Sequence, residues 1–299
     1  MIKMKKNKGQ IALHLAFILI SIIYIAPLML VVSASFSSEE ALLRGGGFSL
    51  FPKGFTVEAY KLVFKNPIQI LQSYATTFTY SIVDTLLGIL IMGMMAYPLA
   101  RENFRLKKAV NFMVLFTMLF SGGTVPSYIL NTRYLHLDDT MWIYIFPGLI
   151  SAYNLFVIKA GYKAIPNELI EAAKVDGASE FYICFKIMMP LAKATLATVA
   201  FLLMVSKWNN WMTSSIYIKR ETQLYSLQYL LQRILKETAY MRQLAEGGTV
   251  HLGADVSNIL PTESLRYAMA IVVAGPMLVV FPFFQKYFVK GMTIGAVKG

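Results

Sequence analysis

Apolar residues run along this chain in blocks long enough to cross a bilayer, and polar residues gather between them. Six blocks stand out, at about residues 11–33, 74–99, 108–130, 141–160, 191–213 and 266–288. Each has about twenty residues or more, the length a helix needs to cross a hydrocarbon core of ~30 Å. The backbone of such a block has no water to bond, so each is predicted to be helical. Pro27 lies inside the first block, where a membrane helix absorbs it as a local kink. Lys3, Lys5, Lys6 and Lys8 precede that block as in a secretory signal, and Ser33-Ala34-Ser35 has the small residues of a cleavage site. The apolar run is long enough to span, so we read it as an uncleaved first helix.

Charge sets the orientation. Arg101, Arg105, Lys107 and Lys108 crowd between the second and third blocks. Lys163, Lys174 and Lys186 lie between the fourth and fifth, and Lys286, Lys290 and Lys298 follow the sixth. With the N-terminal lysines, these predict that both termini and the loop at about 161–190 are cytoplasmic. Composition agrees. The chain is 57% hydrophobic and 15% charged, with a mean hydropathy of +0.56 and a net charge of +12. A soluble domain does not bury that much apolar surface, and loop placement explains the positive excess without nucleic acid. A lone cysteine, Cys184, excludes an intramolecular disulfide, and His14, His136 and His251 are too scattered for a metal site. The expected fold is therefore an all-α polytopic membrane protein with six transmembrane helices and cytoplasmic N- and C-termini. Its expected parts are a first helix with an outer linker (about 1–73), a core (about 74–290) and a tail (about 291–299). The core holds a cytoplasmic loop at about 161–190 and an outer loop at about 214–265.

The cytoplasmic loop carries Glu171-Ala172-Ala173-Lys174-Val175-Asp176-Gly177-Ala178-Ser179, then Ile187-Met188-Met189-Pro190. Pro166 suits a helix's first turn and Glu168 its positive end. Glu171 and Lys174 are spaced to pair on the surface. Gly177 falls where a left-handed C-terminal cap belongs, and Ser179 where the next helix needs an N-cap. Ala172 and Ala173 give this short helix a face without bulk, able to enter a groove closely.

Polar residues inside the apolar blocks are the other candidates. Asp84 stands isolated in the second block, with no second acid or lysine well inside blocks two to four. It reads either as a buried, hydrogen-bonded packing residue or as a proton or cation site. Asn154 faces a substrate path or bonds a neighbouring helix. Lys207-Trp208-Asn209-Asn210-Trp211 ends the fifth block. Trp208, Asn209, Asn210 and Trp211 offer the flat rings and planar amides that bind sugars, or else form an interfacial tryptophan belt. Gly148 and Ala152 are spaced for close helix contact. In the outer linker Gly45-Gly46-Gly47 reads as a turn, and Thr56 can cap a short helix carrying Tyr60. In the outer loop Tyr225, Leu227, Leu230, Leu231, Ile234 and Leu235 form a helical stripe.

Glu-Ala-Ala, Gly177 four residues after the second alanine, and Ile187-x-x-Pro190 together resemble the cytoplasmic loop of binding-protein-dependent ABC importer permeases. Met189 stands where that family usually has leucine. The Ala96-Tyr97-x-x-Ala100-Arg101 ending of block two fits the family too. So does the tail, Gln285-Lys286-Tyr287-Phe288-Val289-Lys290-Gly291 followed by Gly295-x-Val297-Lys298-Gly299. The resemblance implies the type I permease fold of the maltose and multiple-sugar importers. It makes the loop a coupling helix, with Glu171, Ala172, Ala173, Asp176 and Gly177 meeting an ATP-binding subunit. It also implies a second homologous permease as heterodimer partner, two ATP-binding subunits holding ATP and Mg, an extracytoplasmic sugar-binding protein, and a carbohydrate, in particular an oligosaccharide, as substrate. This chain has no G-x-x-x-x-G-K-[ST] sequence and no catalytic constellation, so ATP is expected to be hydrolysed by the partners. A rival reading is an ion-coupled secondary transporter using Asp84. Against it, no inverted repeat relates the two halves.

Overall fold

The computed structural model describes residues 8–44, 49–246 and 263–296. The turn expected at Gly45-Gly46-Gly47, the polar tract from Gly247 to Pro261 and the last three residues of the tail lie outside the described residues. Among the described residues the secondary structure is helical, with one isolated antiparallel bridge between Ser37 and Phe55. In chain order the main helices are α1 (Lys8–Ser35), α2 (Pro67–Ala100), α3 (Lys107–Leu119), α4 (Thr124–Tyr134), α5 (Ala152–Lys163), α6 (Asn167–Val175), α7 (Glu180–Leu191), α8 (Lys193–Trp208), α9 (Leu227–Glu246) and α10 (Glu263–Ala296).

Among the described residues three helices are long and apolar enough to cross a membrane: α1, α2 and the Glu263–Gln285 part of α10. Two bent pairs bring the number to as many as five. α3 and α4 meet at 108°, and α7 and α8 at 80°. The first bend lies at Ser121-Gly122-Gly123, where Gly123 has φ +87°. The block predicted at 141–160 is broken in the middle. Only Trp142–Ile145 is helical before α5, and Pro147-Gly148 intervenes with Gly148 at φ +83°. Proline has no N–H for the helix ladder, and glycine takes the left-handed turn at no steric cost. Hydropathy counts apolar side chains and does not register that interruption. Gly148 therefore turns the chain and does not serve close packing, since a Cβ there would meet nothing within 4 Å.

The chain divides into two compact units, residues 1–67 with 231–275 and residues 68–230 with 276–299. In the first, Phe36 stacks on Phe55 at 5.7 Å and tilts against Tyr60 at 4.9 Å. Ser35 Oγ lies 2.8 Å from the Tyr60 hydroxyl. Thr56 accepts from the Glu58 N–H at 3.2 Å, so it steadies the short helix Glu58–Val63 from just outside its cap. The carboxylate of Glu39 accepts from the N–H groups of Glu263 and Ser264, at 3.0 and 3.1 Å. It thereby caps the positive end of α10.

The second unit has a core drawn from α2, α5, α6, α7 and α8. Met92, Ala96 and Leu99 meet Leu155, Ile158 and Tyr162, and Ile170, Ala173, Ile183, Met188, Val199 and Leu203 close around them. Within α7, residues Ile183–Met188 wind as a π-helix just ahead of Pro190. The proline ring would crowd the carbonyl four residues back, so the wider winding accommodates it. The closest helix approach here is at Gly161 of α5. A Cβ there would lie 2.6 Å from Thr195 Oγ1 and 2.9 Å from Thr195 Cβ, on α8. Gly161→Ala is accordingly expected to cost about 1–3 kcal/mol through overpacking, read as a lowered Tm of the purified protein. Thr195→Ala in the same chain should recover part of it, and an unchanged Tm for Gly161→Ala would overturn the packing account.

Candidate functional site

The loop helix α6 starts one residue later than its proline suggests. Pro166 has ψ 134° and stands just outside, in the cap position, with Asn167 the first helical residue. Glu168 sits in the first turn, where a carboxylate favours the positive helix end. One face is fixed to its own unit through Ile170, 2% exposed, and Ala173, 9% exposed. The opposite face is open. Val175 is 88% exposed and Leu169 46%, and Glu171, Ala172 and Asp176 are exposed beside them. The two alanines therefore do not share one outward surface. Neighbours on a helix are about 100° apart, so Ala172 looks out while Ala173 packs inward. Val175, an apolar knob left bare, is the outward residue that motif spacing did not single out.

The helix ends in a Schellman cap. Gly177 has φ +79°; its N–H donates to the Lys174 carbonyl at 3.0 Å, and that of Ala178 to the Ala173 carbonyl at 2.9 Å. Ser179 then caps α7, its Oγ accepting from the Tyr182 N–H at 3.2 Å. The pair expected between Glu171 and Lys174 is replaced by another. Lys174 Nζ donates to Glu180, and the other oxygen of Glu180 accepts from the Tyr97 hydroxyl. One carboxylate thus ties α6 to the end of α2. Tyr97 is 6% exposed, so the anchor end of this bridge is fixed in the core. The sequence offered Tyr97 only within the Ala96-Tyr97-x-x-Ala100-Arg101 ending and passed over Glu180, because the two meet only through the fold.

Further up α2 lies a buried polar seam. Asp84 is fully buried, and the sequence reading of it as isolated is overturned: Lys207 Nζ is 2.6 Å from its Oδ1. Lys207 also donates to the Tyr144 carbonyl at 2.9 Å, and its own carbonyl accepts from the Tyr80 hydroxyl at 3.1 Å. The rings of Tyr80 and Tyr144 stack at 4.4 Å, 6° from parallel. The Tyr144 hydroxyl donates to the Leu224 carbonyl at 2.7 Å and lies 2.6 Å from Ser214 Oγ. Thr77 Oγ1 accepts from the Leu227 N–H at 2.9 Å, and Thr76 donates to the Gln223 carbonyl at 3.0 Å. Such a seam satisfies polar groups that would be costly in an apolar setting. It also ties the broken region around Tyr144 and the start of α9 to α2.

The four residues after Lys207 have mixed surroundings. Trp208 is 2% exposed and meets Phe78 edge-on at 5.0 Å, so its ring is inside the unit. Asn209 is exposed and donates to the Val205 carbonyl at 3.0 Å. Asn210 donates to Thr213 Oγ1 at 2.9 Å and accepts from the Thr213 N–H at 3.1 Å, which steadies the short helix Met212–Tyr217 from just outside its cap residue Trp211. Trp211 is half-buried. Asn154 is buried at the start of α5, where its N–H donates to Ser151 Oγ at 3.4 Å.

Bent apolar helix pairs and a buried ion pair describe a membrane protein, and α6 is a capped helix with a bare outer face. The comparisons make this specific. Residues 70–294 match the family described as the binding-protein-dependent transport system inner membrane component, and the chain belongs to that family. It is 36% identical to "Protein LplC" of Bacillus subtilis (strain 168), over 93% of this chain and 90% of that protein. It is 31% identical to the "Polygalacturonan/rhamnogalacturonan transport system permease protein YtcP" of the same organism, over 99% of this chain and 100% of that protein. A chain from the "Crystal structure of a bacterial ABC transporter involved in the import of the acidic polysaccharide alginate" has the same fold. Its TM-score is 0.77 at 23% identity, over 96% of this chain and 99% of that one. The chain is thus a multi-pass permease of the bacterial cytoplasmic membrane. The ion-coupled reading is not supported: the family is binding-protein-dependent, and Asp84 is held by Lys207.

Proposed function

We propose that this chain is one of two homologous permeases in an ATP-driven oligosaccharide importer, and that α6 is its coupling helix. The observation that carries the coupling role is the open face of Leu169, Glu171, Ala172, Val175 and Asp176 on a helix whose other face is anchored in the core. An amphipathic helix of this kind fits a groove on a partner. The partners are two ATP-binding subunits, which hold ATP and Mg, and an extracytoplasmic sugar-binding protein. Oligosaccharide as the substrate class follows the functions that relatives are named for, among them the "Arabinooligosaccharides transport system permease protein AraQ" of Bacillus subtilis (strain 168), 27% identical over 97% of this chain. The proposed topology keeps six crossings and cytoplasmic termini. In it, α3 and α4 form one bent crossing, α7 and α8 another, and the broken stretch from Trp142 through α5 the remaining one. The apolar window of α1 has no buried part, and α3 buries no residue, so both offer faces to lipid and to a second permease.

In this reading ATP binding closes the ATPase pair and moves α6 as a rigid piece. Glu180 passes the movement to Tyr97 and so to α2. The spans then exchange inward- and outward-facing arrangements, and each state is favoured by what it binds. Asn154, Asn209, Asn210 and Trp211 are the proposed substrate path, with Trp208 supporting it from inside. The test is isolation of the assembly under mild detergent. A second permease and an ATP-binding subunit are expected with the wild type, and Glu171→Lys should lose the ATP-binding subunit while keeping the permease pair. A Glu171→Lys chain that holds the ATPase and drives uptake at the wild-type rate would sink the assignment of α6.

A further inference from the structure

Behind α6, at the basic end of α2, lies a cavity of about 590 Å³. Its volume falls in the range of pockets that hold small amphiphiles. The walls are mostly apolar, from Met94, Pro98, Phe104, Phe181 and Cys184. Phe181 is 69% exposed and Met94 38%, so its apolar wall continues onto the outer surface. Arg101 and Lys174 supply positive charge to the same lining, and Glu180 takes up that of Lys174. This leaves Arg101. Its guanidinium carbon sits 6.0 Å from the centre of the Tyr97 ring, and its Nη1 is buried with no hydrogen-bond acceptor among the described residues. Nη1 is sealed from the cavity, which Arg101 lines through its other atoms, and a guanidinium at a cavity wall is a donor that suits a phosphate oxygen.

We propose that this cavity binds an anionic phospholipid, with the phosphate on Arg101 and part of an acyl chain against Phe104, Met94 and Phe181. The chemistry separates this occupant from a soluble one. A hydrophilic phosphate metabolite would leave the apolar walls wet, and an uncharged lipid would leave the net positive charge of the lining uncompensated. The site lies where α2 passes out of its apolar window into a basic loop that also holds Arg105, Lys107 and Lys108. Basic pockets between membrane helices at that depth recognise anionic headgroups. The proposal does not depend on α6 being the coupling helix.

The chain's only cysteine reports occupancy, because Cys184 lines the cavity and is 4% exposed. The assembled permease complex is placed in discs of phosphatidylcholine or of phosphatidylglycerol. Modification of Cys184 by a small thiol reagent is then followed on its own peptide by mass spectrometry. The expected result is labelling about fivefold slower in phosphatidylglycerol, the effect of one cationic contact to an anionic lipid. Arg101→Gln should restore the phosphatidylcholine rate in phosphatidylglycerol, which a change in surface pH alone would not do. Equal rates in the two lipids overturn the proposal, and the wild-type comparison stands even if Arg101→Gln fails to assemble. Slowing by inorganic phosphate in phosphatidylcholine discs would show a free-anion site and overturn the lipid assignment.

Discussion

Gly177→Val is expected to abolish ATP-driven uptake while leaving the membrane helices folded. Gly177 has φ +79°, and a Cβ there meets nothing within 4 Å, so the constraint is backbone conformation and not space. An L-residue in the left-handed region costs about 1–2 kcal/mol, and a β-branched side chain makes it a true outlier. The chain escapes the strain by giving up the Schellman cap, which consists of the bonds from Gly177 to Lys174 and from Ala178 to Ala173. Lys174 then loses its fixed place opposite Glu180, and the tie from α6 to Tyr97 loosens. The substitutions should grade by their tolerance of this conformation. Asn, which visits the left-handed region, should retain most uptake, Ala less, and Val none. Uptake and ATP hydrolysis measured together in reconstituted vesicles read the outcome, and hydrolysis persisting without uptake marks lost coupling. If the three variants transport alike, the cap is not what positions α6.

Breaking the pair between Asp84 and Lys207 should have the largest effect on stability. Removing one partner of a buried ion pair leaves an uncompensated charge and typically costs about 3–5 kcal/mol. Asp84→Ala and Lys207→Met are each expected to lower the Tm of the purified complex sharply and to reduce its amount in the membrane. The double variant should be more stable than either single one, since replacing a buried pair by apolar residues is often neutral or stabilising, and should keep only the deficit from the bond to the Tyr144 carbonyl. Lys207→Met carries a further penalty, because the ammonium also donates to the Tyr144 carbonyl in the broken stretch before α5. Its defect should therefore exceed that of Asp84→Ala. Two mild single variants and a severe double variant would show that the residues act separately.

Much of the architecture was legible in the chain. Twenty-residue apolar runs must become helices in lipid, because the backbone has no other way to bond its polar groups. That placed α1, α2 and α10 near their true positions. The loop was also readable: glycine at a left-handed cap and serine at an N-cap are local backbone requirements, met by the residues themselves, and the proline marked the helix start to within one residue. The same local logic, applied with more weight on Pro147-Gly148, would have broken the fourth span. What hydropathy could not register was bending, since α3 and α4 or α7 and α8 are continuous in apolar character and discontinuous in direction.

The sequence by itself determined that this is a helical membrane protein with a short capped helix in a basic loop, and the motif around Gly177 placed it among the importer permeases. Tertiary structure decided which residues are partners. Asp84 and Lys207 are more than a hundred positions apart, Tyr97 meets Glu180 from another helix, and Ala172 and Ala173 part company because only one face of α6 meets the core. Caps, turns and spans follow from contacts within a few residues, which the chain states in order. Ion pairs and open faces depend on which helices come to lie side by side, and that is fixed by packing the whole set at once.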